Sequence, residues 1–180
     1  MGKVITAKRK ENEVEQSHTY IKTYILFPSG VMGLLAMVVG IVALVYQLII
    51  DTYDEWTFAK SSLLIFSGIV LGWSQTRYHR YILAKYPGFF ASRMKSSAVR
   101  RVNRQKKQPV EVQPDHPGRV LMPVLYLLGM AGLIGLSAWC YSSGSLDYMA
   151  AFFLPWAGFF WGKLFTWHKV IPPTGPSGKK

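Results

Sequence analysis

The stretch ILFPSGVMGLLAMVVGIVALVYQLII, residues 25–50, contains no charged side chain. About 20 apolar helical residues cross the hydrocarbon core of a bilayer, so this run predicts a membrane-spanning helix. Its apolar part is too long for a cleaved signal sequence, and no small-residue cleavage site follows it. Working outward, three further runs have the same character: 58–76, with Lys60 near one end; 120–141, free of charge; and 148–167, with Lys163 near its end. The expected fold is all-α, a polytopic integral membrane protein with four transmembrane helices.

Composition agrees with this reading. Half of the 180 residues are hydrophobic, yet 21 Lys and Arg face only 9 Asp and Glu, a net charge of +12. In a membrane protein such charges collect in the loops. Lys3, Lys8, Arg9, Lys10 and Lys22 precede the first span, eleven basic residues lie between Arg77 and Arg119, and Lys169, Lys179 and Lys180 follow the last span. The other two loops carry only Asp51, Asp54 and Glu55, and Asp147. Cytoplasmic loops are rich in Lys and Arg, so both termini and the central loop are expected to be cytoplasmic, in a bacterial inner membrane. The expected organisation is a polar segment at 1–24, hairpin 1 at 25–84, a basic loop at 85–118, hairpin 2 at 119–171 and a tail at 172–180.

The two hairpins echo each other. A displacement of 95 positions places Pro28, Ala36, Gly40, Ala43 and Tyr46 on Pro123, Ala131, Gly135, Ala138 and Tyr141. A displacement of 90 places Gly68, Gly72 and Thr76 on Gly158, Gly162 and Thr166, and 89 places His79 on His168. Each half has two spans, so the repeat is parallel, not inverted. Small residues four apart let helix backbones approach in lipid. Ala36, Gly40, Gly68, Gly72, Ala131, Gly135, Gly158 and Gly162 are therefore the expected helix-packing positions.

Other features suggest contacts rather than catalysis. Span 4 is crowded with Phe152, Phe153, Trp156, Phe159, Phe160 and Trp161, which a lipid, quinone, pigment or partner helix would satisfy. Phe90, Met94, Ala98 and Val102 recur about every four residues among Arg93, Lys95, Arg100, Arg101 and Arg104. That pattern reads as an interfacial helix on anionic lipid. Nucleic acid is not an expected partner, since topology and lipid account for the juxtamembrane cations. The single cysteine, Cys140, excludes an internal disulfide or a thiolate zinc site. No Asp or Glu lies within a span, and no Walker loop, zincin motif or nucleophile elbow occurs.

The leading expectation is a non-catalytic integral subunit or assembly factor of a larger membrane complex, with lipids and other membrane subunits as partners and no resident cofactor. One alternative is a small oligomeric transporter or channel, for which Ser61, Ser62, Ser67 and Ser137 offer a thin polar lining. Another is an electron-transfer subunit with haem held between His79 and His168, two histidines at one expected depth.

Overall fold

The computed structural model describes residues 14–86, 89–90, 118 and 121–168. Among these there is no strand. Among the described residues four long helices stand out: α1 (Val14–Ile49), α2 (Glu55–Lys85), α3 (Leu121–Ser142) and α4 (Tyr148–His168). Three of them, α1, α2 and α3, are long and apolar enough to cross a membrane. Among the described residues one end of the bundle carries the acidic turns, with Asp51, Asp54, Glu55 and Asp147, and the other carries Lys22, Arg77, Arg80 and Lys85.

Helix α1 starts well before the apolar run that announces it. It continues upstream to Val14 through a π turn at Lys22–Leu26, where the Phe27 N–H donates to the Lys22 carbonyl. Pro28 gives the reason. It has no N–H for the Tyr24 carbonyl four residues back, and its ring crowds that carbonyl. A widened turn just upstream lets the helix pass the proline without ending. The extension is packed: Ser17 and Ile21 are fully buried. With 36 residues in α1 and 31 in α2, a rise of 1.5 Å per residue gives lengths of about 54 and 46 Å. Both exceed a hydrocarbon core of about 30 Å, and both continue past it at the basic end.

Helix α4 occupies the middle. It packs most extensively on α2 and next on α1, while α3 touches α2 and α4 over much smaller areas. Although consecutive, α2 and the Phe27–Ile49 part of α1 scarcely touch, and the two helices meet only upstream, where Ile21 packs with Ile82 and Leu83. The connectivity is that of two hairpins, but the packing partner of α1 is α4. The buried residues of α1 explain this: Ser29, Gly33, Ala36, Gly40, Ala43 and Gln47 recur alternately every three and four positions, forming one narrow stripe of mostly small side chains.

Two apolar clusters tie the helices together. Ala43, Leu64, Cys140, Leu146, Ala150, Ala151 and Leu154 form one near the acidic end. Ile21, Ile82, Leu83, Phe90 and Trp167 form the other at the basic end. Outside these clusters, α1 exposes Val31, Leu34, Leu35, Val38, Ile41, Val42 and Val45. This apolar surface suits lipid, not water.

The acidic end is closed by hydrogen bonds. Asp54 caps α2: its Oδ1 accepts from the Thr57 N–H at 2.7 Å and the Asp54 N–H donates to Thr57 Oγ1 at 3.4 Å, forming a capping box, while Oδ1 lies 2.7 Å from Thr57 Oγ1. The α3–α4 turn then docks on this cap. Ser145 O lies 2.6 Å from Thr57 Oγ1 and accepts from Gln47 Nε2 at 3.4 Å. Lys60 donates to Ser143 Oγ at 2.5 Å and to Ser145 Oγ at 2.6 Å. Gly144 supplies the positive φ, 73°, that the turn requires.

The Thr57 hydroxyl, and next its N–H, hold the Asp54 carboxyl below its usual pKa. A depressed carboxylate contributes stability above the unfolded pKa of about 3.9 and loses it as pH falls through the folded value. Thermal unfolding in detergent should therefore show Asp54→Ala melting below wild type at neutral pH. The gap should narrow as pH drops below the ordinary carboxylate range. A gap that is independent of pH would show that the charge of Asp54 contributes nothing.

Candidate functional site

The closest approach in the fold is between the backbones of α2 and α4. A Cβ placed on Gly68 would run into the Pro155 carbonyl, and one on Gly72 into the Phe159 carbonyl. Reciprocally, a Cβ on Gly158 would run into the Ile65 carbonyl, and one on Gly162 would lie 2.7 Å from the Ile69 carbonyl. The two sets correspond position by position. Gly68 meets Pro155 as Gly158 meets Ile65, and Gly72 meets Phe159 as Gly162 meets Ile69, each pair being the other displaced by 90 residues. Hydroxyl bonds repeat the same relation: Thr76 donates to Gly72 O at 2.9 Å and Thr166 to Gly162 O at 2.6 Å.

Helix α1 also meets α4 through small residues. Cβ atoms on Gly30, Gly33 and Gly40 would lie 3.2 Å from Leu164 Cδ1, 3.0 Å from Phe160 Cβ and 2.7 Å from Leu154 Cδ2. Ala36 is buried on the same stripe. Large side chains of α4 thus seat in hollows of α1.

Helix α3 is turned the other way. The positions that match the buried stripe of α1 are Val124, Leu128, Ala131, Gly135, Ala138 and Ser142, and all six are exposed. A Cβ placed on Gly132 or Gly135 would meet no described neighbour within 4 Å. What α3 buries is the opposite side, Leu133, Ser137 and Cys140. At 3.6 residues per turn, Ala131 and Leu133 lie about 200° apart. Of the eight small residues expected at helix contacts, six therefore sit between helices of this chain. Ala131 and Gly135 do not, because α3 presents its other side to the bundle, where Leu133, Ser137 and Cys140 are buried and a Cβ on Gly129 would lie 2.5 Å from Leu71 Cδ1.

The remaining expected positions fall as follows. Among the span 4 aromatics, Phe159 is buried, Phe152 is exposed, and Phe153, Trp156, Phe160 and Trp161 are half-buried. Their crowding has an internal cause, since α4 is the central helix and has to fill space against three neighbours. His79 is half-buried with its ring edge-on to Phe90, centroids 6.4 Å apart. The side chain of His168 lies outside what the structure describes, and so do Arg93, Lys95, Arg100, Arg101 and Arg104. The hydroxyls of Ser61, Ser67 and Ser137 bond carbonyls of their own helices at 2.9–3.0 Å, and Ser62 is exposed.

One feature escaped the sequence reading. Trp73, Arg77 and Tyr81 stand at i, i+4 and i+8 on α2, a spacing that could have signalled a common face. They line two adjoining hollows at the basic end.

Compared with protein-family models, with curated proteins and with solved structures, the chain matches none of them. Fold and site together define a class: an all-helical bundle with three helices apt to cross a membrane, joined by direct backbone contact at small residues.

The contact geometry orders the glycines by cost. Gly68→Ala and Gly158→Ala should each destabilise by about 1–3 kcal/mol, the usual cost of overpacking. Gly135→Ala should stay within about 0.5 kcal/mol of wild type. Circular dichroism melts in detergent measure this, and equal effects at Gly68 and Gly135 would refute the packing assignment.

Proposed function

We propose that this chain is a non-catalytic integral membrane subunit that docks a helix of another membrane protein on the outward face of α3. The supporting observation is the contrast between α1 and α3. They share a register of small residues, which α4 covers on α1 and no described residue covers on α3. In lipid a small-residue face gains by close packing with another helix, because burial of apolar surface alone offers little.

This reading includes a tandem, parallel repeat of two helical hairpins. The reciprocal α2–α4 glycine contacts support it, as an internal two-fold relation would pair residues in this way. It includes four crossings: α4, with 21 residues, rises about 31 Å and runs between the same two ends as its neighbours. By the excess of Lys and Arg, the basic end belongs to the cytoplasmic side of a bacterial inner membrane. Membrane lipids and other integral subunits are the partners.

The test is affinity purification of the full chain from its native membrane in mild detergent, with mass spectrometry of co-purifying proteins. A polypeptide with a transmembrane helix should accompany wild type. The double variant Ala131→Leu/Gly135→Leu should lose it by about tenfold, the effect of about 1.4 kcal/mol, while Leu125→Ala, exposed on another face of the same helix, retains it. A partner-free wild type, a complex made only of copies of this chain, or retention by the double variant would each overturn the reading.

A further inference from the structure

At the basic end, α3 stands away from α2 and leaves a cleft of about 400 Å³. That size lies within the range of about 300–1,000 Å³ typical of small-ligand sites. Trp73, Ser74, Tyr78, Met122 and Tyr126 wall it, with Arg77 and Tyr81 beside Gly118 at its mouth. Bulky rings hold it open: Tyr126 lies 6.1 Å from Tyr78, ring to ring, and donates to Ser74 O at 3.3 Å. A second hollow of about 800 Å³ adjoins it, sharing Trp73, Arg77 and Tyr81 and adding His18 and Arg80. Among the described residues no carboxylate lines either one.

Depth gives the cleft a polarity. Counting about 20 residues for the hydrocarbon core from Phe58 inward places Arg77 at its boundary on α2. The same count from Tyr141 places Met122 at the boundary on α3. Trp73, Ser74 and Tyr126 then lie at hydrocarbon depth, and Tyr78, Tyr81 and Gly118 among the headgroups. The Arg77 guanidinium rests over the Trp73 ring, 5.3 Å from its centre, so its planar fork is held at the mouth of an apolar slot. Tyr81 accepts a hydrogen bond from Lys85 at 3.2 Å, which leaves the phenolic proton to donate elsewhere. An apolar slot topped by an arginine and a phenol matches an acyl chain topped by a phosphate.

We propose that the α2–α3 cleft binds one anionic glycerophospholipid, its acyl chain against Trp73, Met122 and Tyr126 and its phosphate on Arg77 and Tyr81. The proposal rests on the membrane reading of the helices and not on the partner assigned to α3. A phosphate accepts two parallel bonds from a guanidinium, and an anionic headgroup leaves the cluster of cations at the mouth compensated.

The experiment is native mass spectrometry of the full chain in detergent, titrated with phosphatidylglycerol or with phosphatidylcholine of identical acyl chains. Wild type should form a one-lipid adduct at about tenfold lower concentration of the anionic lipid, equivalent to about 1.4 kcal/mol, because the choline cation neutralises the phosphate of the zwitterionic lipid and the glycerol headgroup leaves that charge to the guanidinium. Arg77→Gln should lose that preference, and Lys22→Gln, on α1 and lining neither hollow, should keep it. Met122→Trp, which fills the slot, should lose the adduct with both lipids while the helical circular dichroism is unchanged. Equal binding of the two lipids by wild type, or an unaltered preference in Arg77→Gln, would overturn the proposal. Displacement by soluble glycerol phosphate at concentrations comparable to the lipid would also overturn it, because the acyl slot would then contribute nothing.

Discussion

The backbones of α2 and α4 touch, and the rest of the bundle follows from that contact. Gly68, Gly72, Gly158 and Gly162 replace side chains with open space, and carbonyls of Ile65, Ile69, Pro155 and Phe159 fill it. In lipid, helices gain little by hiding Leu from the solvent, so dispersion at close range has to hold them. Thr76 and Thr166 add to this without costing a donor: each returns its hydroxyl to a carbonyl of its own helix. Once α2 and α4 are joined this closely, α4 has its remaining faces to fill. Leu154, Phe160 and Leu164 seat in the glycine hollows of α1, and α1 is drawn to α4 instead of to its sequence neighbour α2.

Much of this fold was legible in the sequence, and the limits have physical causes. Charge-free runs and loop charges mark the helices because a hydrocarbon core excludes ions. The Gly-x-x-x-Gly spacing marks the α2 and α4 faces because only small residues allow such an approach. The central place of α4 was not legible. Its aromatic crowding reads equally as exposure to a foreign partner, and only the packing shows that α4 has three neighbours, with Phe159 buried among them. The upstream reach of α1 was hidden as well. Pro28 and Lys22 look like a helix start, and a π turn that carries the helix past a proline leaves no mark in the pattern of apolar residues.

The orientation of α3 was the least legible feature of all. In a soluble helix, polar residues mark the outside. Here both sides of α3 are apolar, and neither periodicity nor composition says which one the bundle takes. The register shared with α1 points to the small-residue face, yet Leu133, Ser137 and Cys140 face inward. Two contacts account for this choice. At the acidic end, Cys140 joins Leu64, Leu146 and Leu154 in the apolar cluster, and the turn after α3 is clamped by Gln47, Thr57 and Lys60. At the basic end, Tyr126 must meet Ser74 and Tyr78, which fixes the helix rotation and holds α3 away from α2.

These same two contacts explain why the proposed binding features both involve α3. A helix anchored firmly at one end and propped open by rings at the other packs on α2 in between, where Gly129 takes the Leu71 side chain. The prop creates the cleft at the basic end, and the rotation it enforces turns Ala131, Gly135 and Ala138 outward. On the tandem-repeat reading, the two halves then divide the work. The α2–α4 contact needs both copies of the glycine face and tolerates no change in either. The outer helices α1 and α3 are released from that constraint, since each touches the central pair from one side only. One of them has kept its small residues for the chain's own core. The other has the same residues free to meet a surface that the chain does not supply.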